Sequence, residues 1–226
     1  MRQQNHRRSL MLGPLSATVA LMATLAWSGA LAQGKGTVAA ATESKAELET
    51  VRRAVHVCAA CHGEGGRSSV AVYPRLAGQQ ALYIVAQLRD FRSQTRAETD
   101  TQAYMWGVSA LLDDATIEGL ADYYSQQSPA PAKPVKPADK AVVEAGRKIF
   151  AFGLPARARA CADCHGENAE GAAGFPRLAG QHADYVFRQL KVFGTRLRPH
   201  GVIMKSEAAN MTTAEMKAVA AYVASR

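Results

Sequence analysis

Apolar residues recur along most of the chain at spacings of three and four, the period of a helix with one buried face. Leu82, Ile84, Val85, Leu88 and Phe91 predict a helix over Gln80–Phe91. Tyr185, Val186, Phe187, Leu190 and Phe193 predict its counterpart over Ala183–Phe193. Ile117, Leu120 and Tyr124 line one face of a helix over Asp114–Tyr124, and a last helix is expected over Thr213–Val223 with Thr212 or Thr213 as N-cap. Shorter helices are expected at Ala46–His56 and Val142–Phe150. No segment alternates as a half-buried strand would, and Gly-rich loops at Gly63–Ser69 and Gly166–Gly174 separate the helical stretches. The expected fold class is all-α.

The pattern is written twice. Cys58-Ala-Ala-Cys61-His62-Gly63-Glu64 is followed by Tyr73-Pro74-Arg75-Leu76-Ala77-Gly78-Gln79. Cys161-Ala-Asp-Cys164-His165-Gly166-Glu167 is followed by Phe175-Pro176-Arg177-Leu178-Ala179-Gly180-Gln181. The offset is 103 residues at the cysteines, 102 at the Pro-Arg-Leu-Ala-Gly-Gln string and 99 at the final helices, where Tyr123 answers Tyr222. So small a drift marks one duplicated domain with short loop differences. Between the copies, Pro129, Pro131, Pro134 and Pro137 exclude a helix and favour an extended connector. The N-terminus has Arg2, Arg7 and Arg8 without an acid, an apolar run from Leu10 to Leu31, and the small-x-small triplet Ala30-Leu31-Ala32. That is the layout of a secretory signal peptide, with an uncleaved anchor as the alternative. The expected organisation is a signal peptide at 1–32, an N-terminal domain at 33–128, a Pro-rich linker at 129–138 and a C-terminal domain at 139–226. Removing residues 1–32 takes the formal charge from +8 to +5. A mildly basic surface favours acidic docking partners, and no compact Lys/Arg stripe points to nucleic acid.

All four cysteines fall in Cys-x-x-Cys-His, a much more specific signal than the charge. Two thiols three residues apart can each form a thioether to a haem vinyl group, and the next histidine lies under the iron as an axial ligand. Modules this small have a thin core that a large apolar macrocycle would complete. The competing readings are a thioredoxin-like thiol pair, for which the βαβ context is missing, and zinc, for which adjacent Cys61 and His62 are awkward. Cys58, Cys61, Cys161 and Cys164 are therefore expected to hold two covalent haem c groups, with His62 and His165 on the irons. A second axial ligand should recur in both copies. Met105 lies seven residues before Leu112, and Met204 lies seven before Met211. His56, His182 and His200 have no counterparts, although His200 is a competitor for Met204 in the second copy. Carbonyls near Pro74 and Pro176 could fix the imidazoles. Tyr83 with Tyr185, or Arg75 with Arg177, are candidates to approach the haem propionates.

These motifs resemble the dihaem cytochrome c4 family, tandem class I cytochrome c domains. The resemblance rests on both Cys-x-x-Cys-His-Gly motifs, both Pro-Arg-Leu-Ala-Gly-Gln strings, and the Gln-Leu-x-x-Phe strings at Gln87–Phe91 and Gln189–Phe193. It implies a periplasmic electron carrier rather than an enzyme, with one His/Met haem per domain and Met105 and Met204 as the methionine ligands. It also implies domains packed about a pseudo-twofold axis with propionates near the interface. The implied partners are periplasmic or membrane-bound redox proteins such as a terminal oxidase, with peripheral membrane association. Two departures stand out. Thr50-Val51 occupies a place where relatives usually show glycine, whereas the second copy keeps Ala145-Gly146, and Tyr104 stands where many carry another methionine. The alternatives are the cytochrome subunit of a periplasmic dehydrogenase or sulfur-oxidising complex, and a gas sensor.

Overall fold

The computed structural model describes residues 33–98 and 102–226, so the expected signal peptide lies outside the described residues. Helices α1 (Gln33–His62), α2 (Ala81–Arg92), α3 (Gln102–Ser109) and α4 (Asp114–Ser125) form the first copy. The second contains α5 (Lys140–Phe152), α6 (Ala162–His165), α7 (Ala183–Phe193), α8 (Val202–Ala209) and α9 (Thr213–Ala224). Among the described residues β pairing amounts to two isolated bridges, Leu154 with Ala158 and Ala172 with Phe175. The all-helical expectation holds. No helix among these residues is long and apolar enough to cross a membrane.

Each copy closes its core on the helix predicted from the apolar stripe. In the first, α2 packs on α3 and α4, and Ile84, Leu120, Ala121 and Tyr124 form a buried centre against which Cys58, Leu76 and Leu88 pack. In the second, α5 and α7 pack on α9, and α8 packs on α7. Phe150, Val186, Leu190, Val219 and Val223 are buried there, with Cys161, Leu178 and Met204 against them. The final helices begin at equivalent caps. Asp113 Oδ1 accepts from Thr116 N at 2.7 Å, while Thr212, rather than Thr213, closes a capping box with Glu215.

Three features differ from the expectation. Helix α1 does not stop at His56 but runs through the first cysteine motif to His62. The second leading helix does stop, at Phe152, because Gly153 takes a φ of 72° and Pro155 follows. Its motif then lies on the single turn α6. Finally, α3 and α8 form where no helix was expected. Each has eight residues and no strong apolar stripe, so packing on α2 or α7, more than intrinsic propensity, holds it. The segment over residues 129–136 is free of helix, and a 3₁₀ turn at Pro137–Asp139 leads into α5.

Candidate functional site

Both motifs end in a glycine of positive φ, Gly63 at 75° and Gly166 at 81°. That conformation stops the helix directly after the histidine and lets the following loop return over the ring. The loop delivers a carbonyl in each case. His62 Nδ1 lies 2.8 Å from the Pro74 oxygen, and His165 Nδ1 lies 2.9 Å from the Pro176 oxygen. A carbonyl only accepts, so Nδ1 carries the proton and Nε2 keeps its lone pair. Burial lowers the pKa of both imidazoles against the opposing effect of those carbonyls, which keeps them neutral and able to ligate. An aromatic ring stands edge-on to each imidazole. Tyr73 lies 6.3 Å from His62 and Phe175 lies 6.4 Å from His165, centroid to centroid.

The thiols are unlike reactive ones. Burial pushes the Cys58 thiol up, and that of Cys161 up to about 11. Disulfide exchange and zinc binding favour the opposite shift. Among the described residues no three His, Cys, Asp or Glu side chains are grouped as a metal site would require. Among the described residues three buried polar atoms also lack protein partners; one of them, Arg188 Nε, belongs to a guanidinium already anchored through Nη2 on Val72 O. The Tyr124 hydroxyl lies beside the Cys58 thiol without a well-formed hydrogen bond, and Arg177 Nε has no acceptor. An apolar macrocycle with carboxylate tails matches this set: in each copy a part-buried thiol with a second one three residues on, a fixed neutral imidazole, and in Arg177 a guanidinium nitrogen without an acceptor.

The other expected residues are distributed unequally. Met105 is half-buried on α3 and Met204 half-buried on α8, where it packs on the same core as Cys161. His200 turns to the surface, its Nδ1 2.7 Å from Asp90 Oδ1. His182 Nε2 lies 3.0 Å from the Ser68 oxygen, and His56 is exposed. Arg75 and Arg177 do not behave alike. Arg75 Nε donates to Ser68 O at 3.1 Å and its Nη1 to Gly180 O at 2.6 Å. Tyr83 and Tyr185 hydroxyls accept from Arg198 at 3.3 Å and Arg96 at 3.1 Å.

The Arg75–Gly180, Arg198–Tyr83 and Arg96–Tyr185 contacts cross between the copies and belong to two symmetric clusters. In the first, Gln79 Nε2 donates to Arg177 O at 3.0 Å and its Oε1 accepts from Arg177 N at 2.7 Å. Gln181 repeats this on Arg75 O and N, both at 2.9 Å. The doubled Pro-Arg-Leu-Ala-Gly-Gln string is thus an interface motif, and its identical terminal glutamines were the available signal. In the second cluster, buried Arg96 and Arg198 each bond both Gln87 and Gln189 and lie over Phe91 and Phe193. Glu98 breaks the symmetry by accepting from Arg96 and from Gln189 Nε2, the latter at 2.7 Å. Burial alone would raise its carboxyl pKa, but Arg96 and Gln189 hold it below the ordinary range. These arginines escaped the sequence reading because loop positions 96 and 198 carry no motif.

Comparison with known proteins now bears on the geometry. The cytochrome c family model matches residues 143–226. Cytochrome c4 of Azotobacter vinelandii is 35% identical over 222 residues, covering 92% of this chain and 97% of the relative. The chain belongs to the cytochrome c4 family. The solved cytochrome c4 of Acidithiobacillus ferrooxidans superimposes with a TM-score of 0.69 at 40% identity, over 75% of this chain and 98% of that one. A thiosulfate dehydrogenase electron acceptor of Stutzerimonas stutzeri is 51% identical over 176 residues, 76% of this chain and 79% of the relative. This cytochrome is therefore an electron carrier and not an enzyme, built from two class I cytochrome c domains with two covalent haem c groups. It exchanges electrons with other redox proteins.

Proposed function

We propose that the protein is a periplasmic shuttle whose haems are attached through Cys58 and Cys61 in a domain at 33–128, and through Cys161 and Cys164 in a domain at 139–226. His62 and His165 are the proximal ligands, and Met105 and Met204 the distal ones. The observation that carries this reading is the matched His–Pro carbonyl contact, 2.8 Å in one copy and 2.9 Å in the other. Haem supplies one-electron chemistry at iron when bound. The protein's residues orient the imidazoles and partly bury the Cys58 and Cys161 thiols, and Arg177 would be available to pair with a haem carboxylate. With His62 and Met105 holding one iron and His165 and Met204 the other, neither would offer an open position to a substrate.

Electrons leave toward a terminal oxidase or a comparable respiratory acceptor. The basic surplus lies in the second domain, with thirteen Lys/Arg against eight Asp/Glu in residues 139–226 and nine against eleven in residues 33–128. An acidic partner therefore docks on the second domain more readily than on the first. The 51% identity to a thiosulfate dehydrogenase electron acceptor favours a second reading for the donor: the protein receives electrons from a dehydrogenase of that kind.

The test is stopped-flow reduction of the oxidised holo-protein by thiosulfate dehydrogenase with thiosulfate, then reoxidation by oxidase-containing membranes. Reduction of two haems per chain followed by salt-sensitive reoxidation is expected. Failure of the membranes to reoxidise it would overturn the oxidase assignment, and no reduction by the dehydrogenase would remove the second reading.

A further inference from the structure

We propose that Trp106 is the positioning residue that holds Met105 at the first haem iron, and that it couples this ligation to the docking of the two copies. The inference rests on Met105 and Met204 being the axial ligands. In the second copy the segment from Arg198 to Met204 closes on itself. Gly201 N donates to the Arg198 carbonyl at 3.1 Å, and Lys205 N donates to the Gly201 carbonyl at 2.8 Å, which starts α8. The first copy has three more residues between Arg96 and Met105. There the Arg96 carbonyl is bonded by a side chain instead, Trp106 Nε1 donating to it at 2.8 Å. The equivalent carbonyl is engaged in both copies, by a backbone turn in one and by an indole in the other.

Trp106 follows Met105 directly on α3, so this bond fixes both the rotation of the short helix and its distance from the preceding loop. Ser109 Oγ adds a bond to the Met105 carbonyl at 2.5 Å. The residues equivalent to Trp106 and Ser109 are Lys205, which is exposed, and Ala208, which has no hydroxyl. Helix α8 and the cap after it are tied at the surface: Glu207 accepts from Arg159 N at 2.9 Å and Nε at 3.0 Å, and Asn210 O accepts from Arg157 at 3.1 Å.

The anchor on the first side belongs to the interface. Arg96 is held by Glu98 and Gln87 of its own copy and by Tyr185 and Gln189 of the other. A displacement of Arg96 is therefore transmitted to Met105 through one side-chain hydrogen bond, whereas Arg198 reaches α8 only through the backbone turn at Gly201.

The test is a cyanide titration of the ferric holo-protein. Cyanide replaces the methionine sulfur on iron with no change of oxidation state, and site-assigned methionine methyl resonances report occupancy at each haem. Trp106→Phe keeps the ring and removes the donor. We expect it to raise cyanide affinity at the first haem about 3- to 10-fold, as loss of one neutral hydrogen bond implies, with the second haem unchanged. Glu98→Gln, which loosens Arg96 without touching α3, should act at the same haem in the same direction, and it serves if Trp106→Phe does not fold. Unchanged affinity at the first haem, or an equal rise at both, would overturn the proposal. Absence of both methionine resonances from the wild type would refute the ligand assignment itself.

Discussion

In the second module, helix α5 carries Gly146 where it crosses α9, and a Cβ there would overlap the Ala218 carbonyl oxygen. In the first module the leading helix has Val51 at that crossing, and the glycine has moved to the last helix as Gly119, where a Cβ would overlap Val51 Cγ2. The apparent loss of a glycine from the first copy is therefore an exchange across one contact. Both crossings admit only a single side chain larger than hydrogen at the closest approach. What differs is the obstacle: backbone in the second module and a side-chain methyl in the first. The same contrast extends to α3 and α8, one tied by a half-buried indole and the other by a surface ion pair.

Gly146→Ala should give the largest effect, about 3 kcal/mol of destabilisation, because a backbone carbonyl cannot move aside as a side chain can. Gly119→Ala should lose about 1 to 2 kcal/mol and recover most of it when Val51→Ala is added. Thermal unfolding of the holo-protein measures both, and equal losses with no rescue would break the exchange argument. Gln79→Leu and Gln181→Leu leave buried backbone groups unpaired in the opposite module, so each should cost about 2 kcal/mol, and by equal amounts. Unequal losses in denaturant titrations would show that the interface is not functionally symmetric.

Glu98 contributes a smaller, pH-dependent difference, about 1.5 kcal/mol for its charge-assisted bonds. Its folded pKa lies below the ordinary value of 4.5, so its stabilisation is complete above that value and disappears as pH falls through the lower, folded one. Glu98→Gln should flatten that acid limb, and an unaltered pH profile would remove Glu98 from the account. Glu207→Gln should have the least effect, under about 1 kcal/mol and vanishing in molar salt, since Arg159 is largely exposed. A salt-independent loss would mean that α8 depends on this pair more than exposure allows.

Much of this was legible beforehand for identifiable reasons. The stripes on α2 and α7, the prolines of the connector and the two Cys-x-x-Cys-His motifs are local signals, each readable within a dozen residues. Helices α3 and α8 were not, because eight residues without a strong stripe owe their form to α2 and α7 beneath them. The Arg96–Arg198 cluster was not either, since its order comes from two loops meeting across an interface. Arg75 and Arg177 read as equivalents, and only the packed structure shows Arg75 bonded to carbonyls while Arg177 Nε is left without a partner.

The most direct test of the central claim is the near-infrared methionine-to-iron charge-transfer band of the ferric holo-protein, quantified against haem content and protein mass. The account predicts two covalent haems per chain and a band intensity corresponding to methionine on both irons. One haem per chain, or an intensity matching a single methionine-ligated iron, would contradict it.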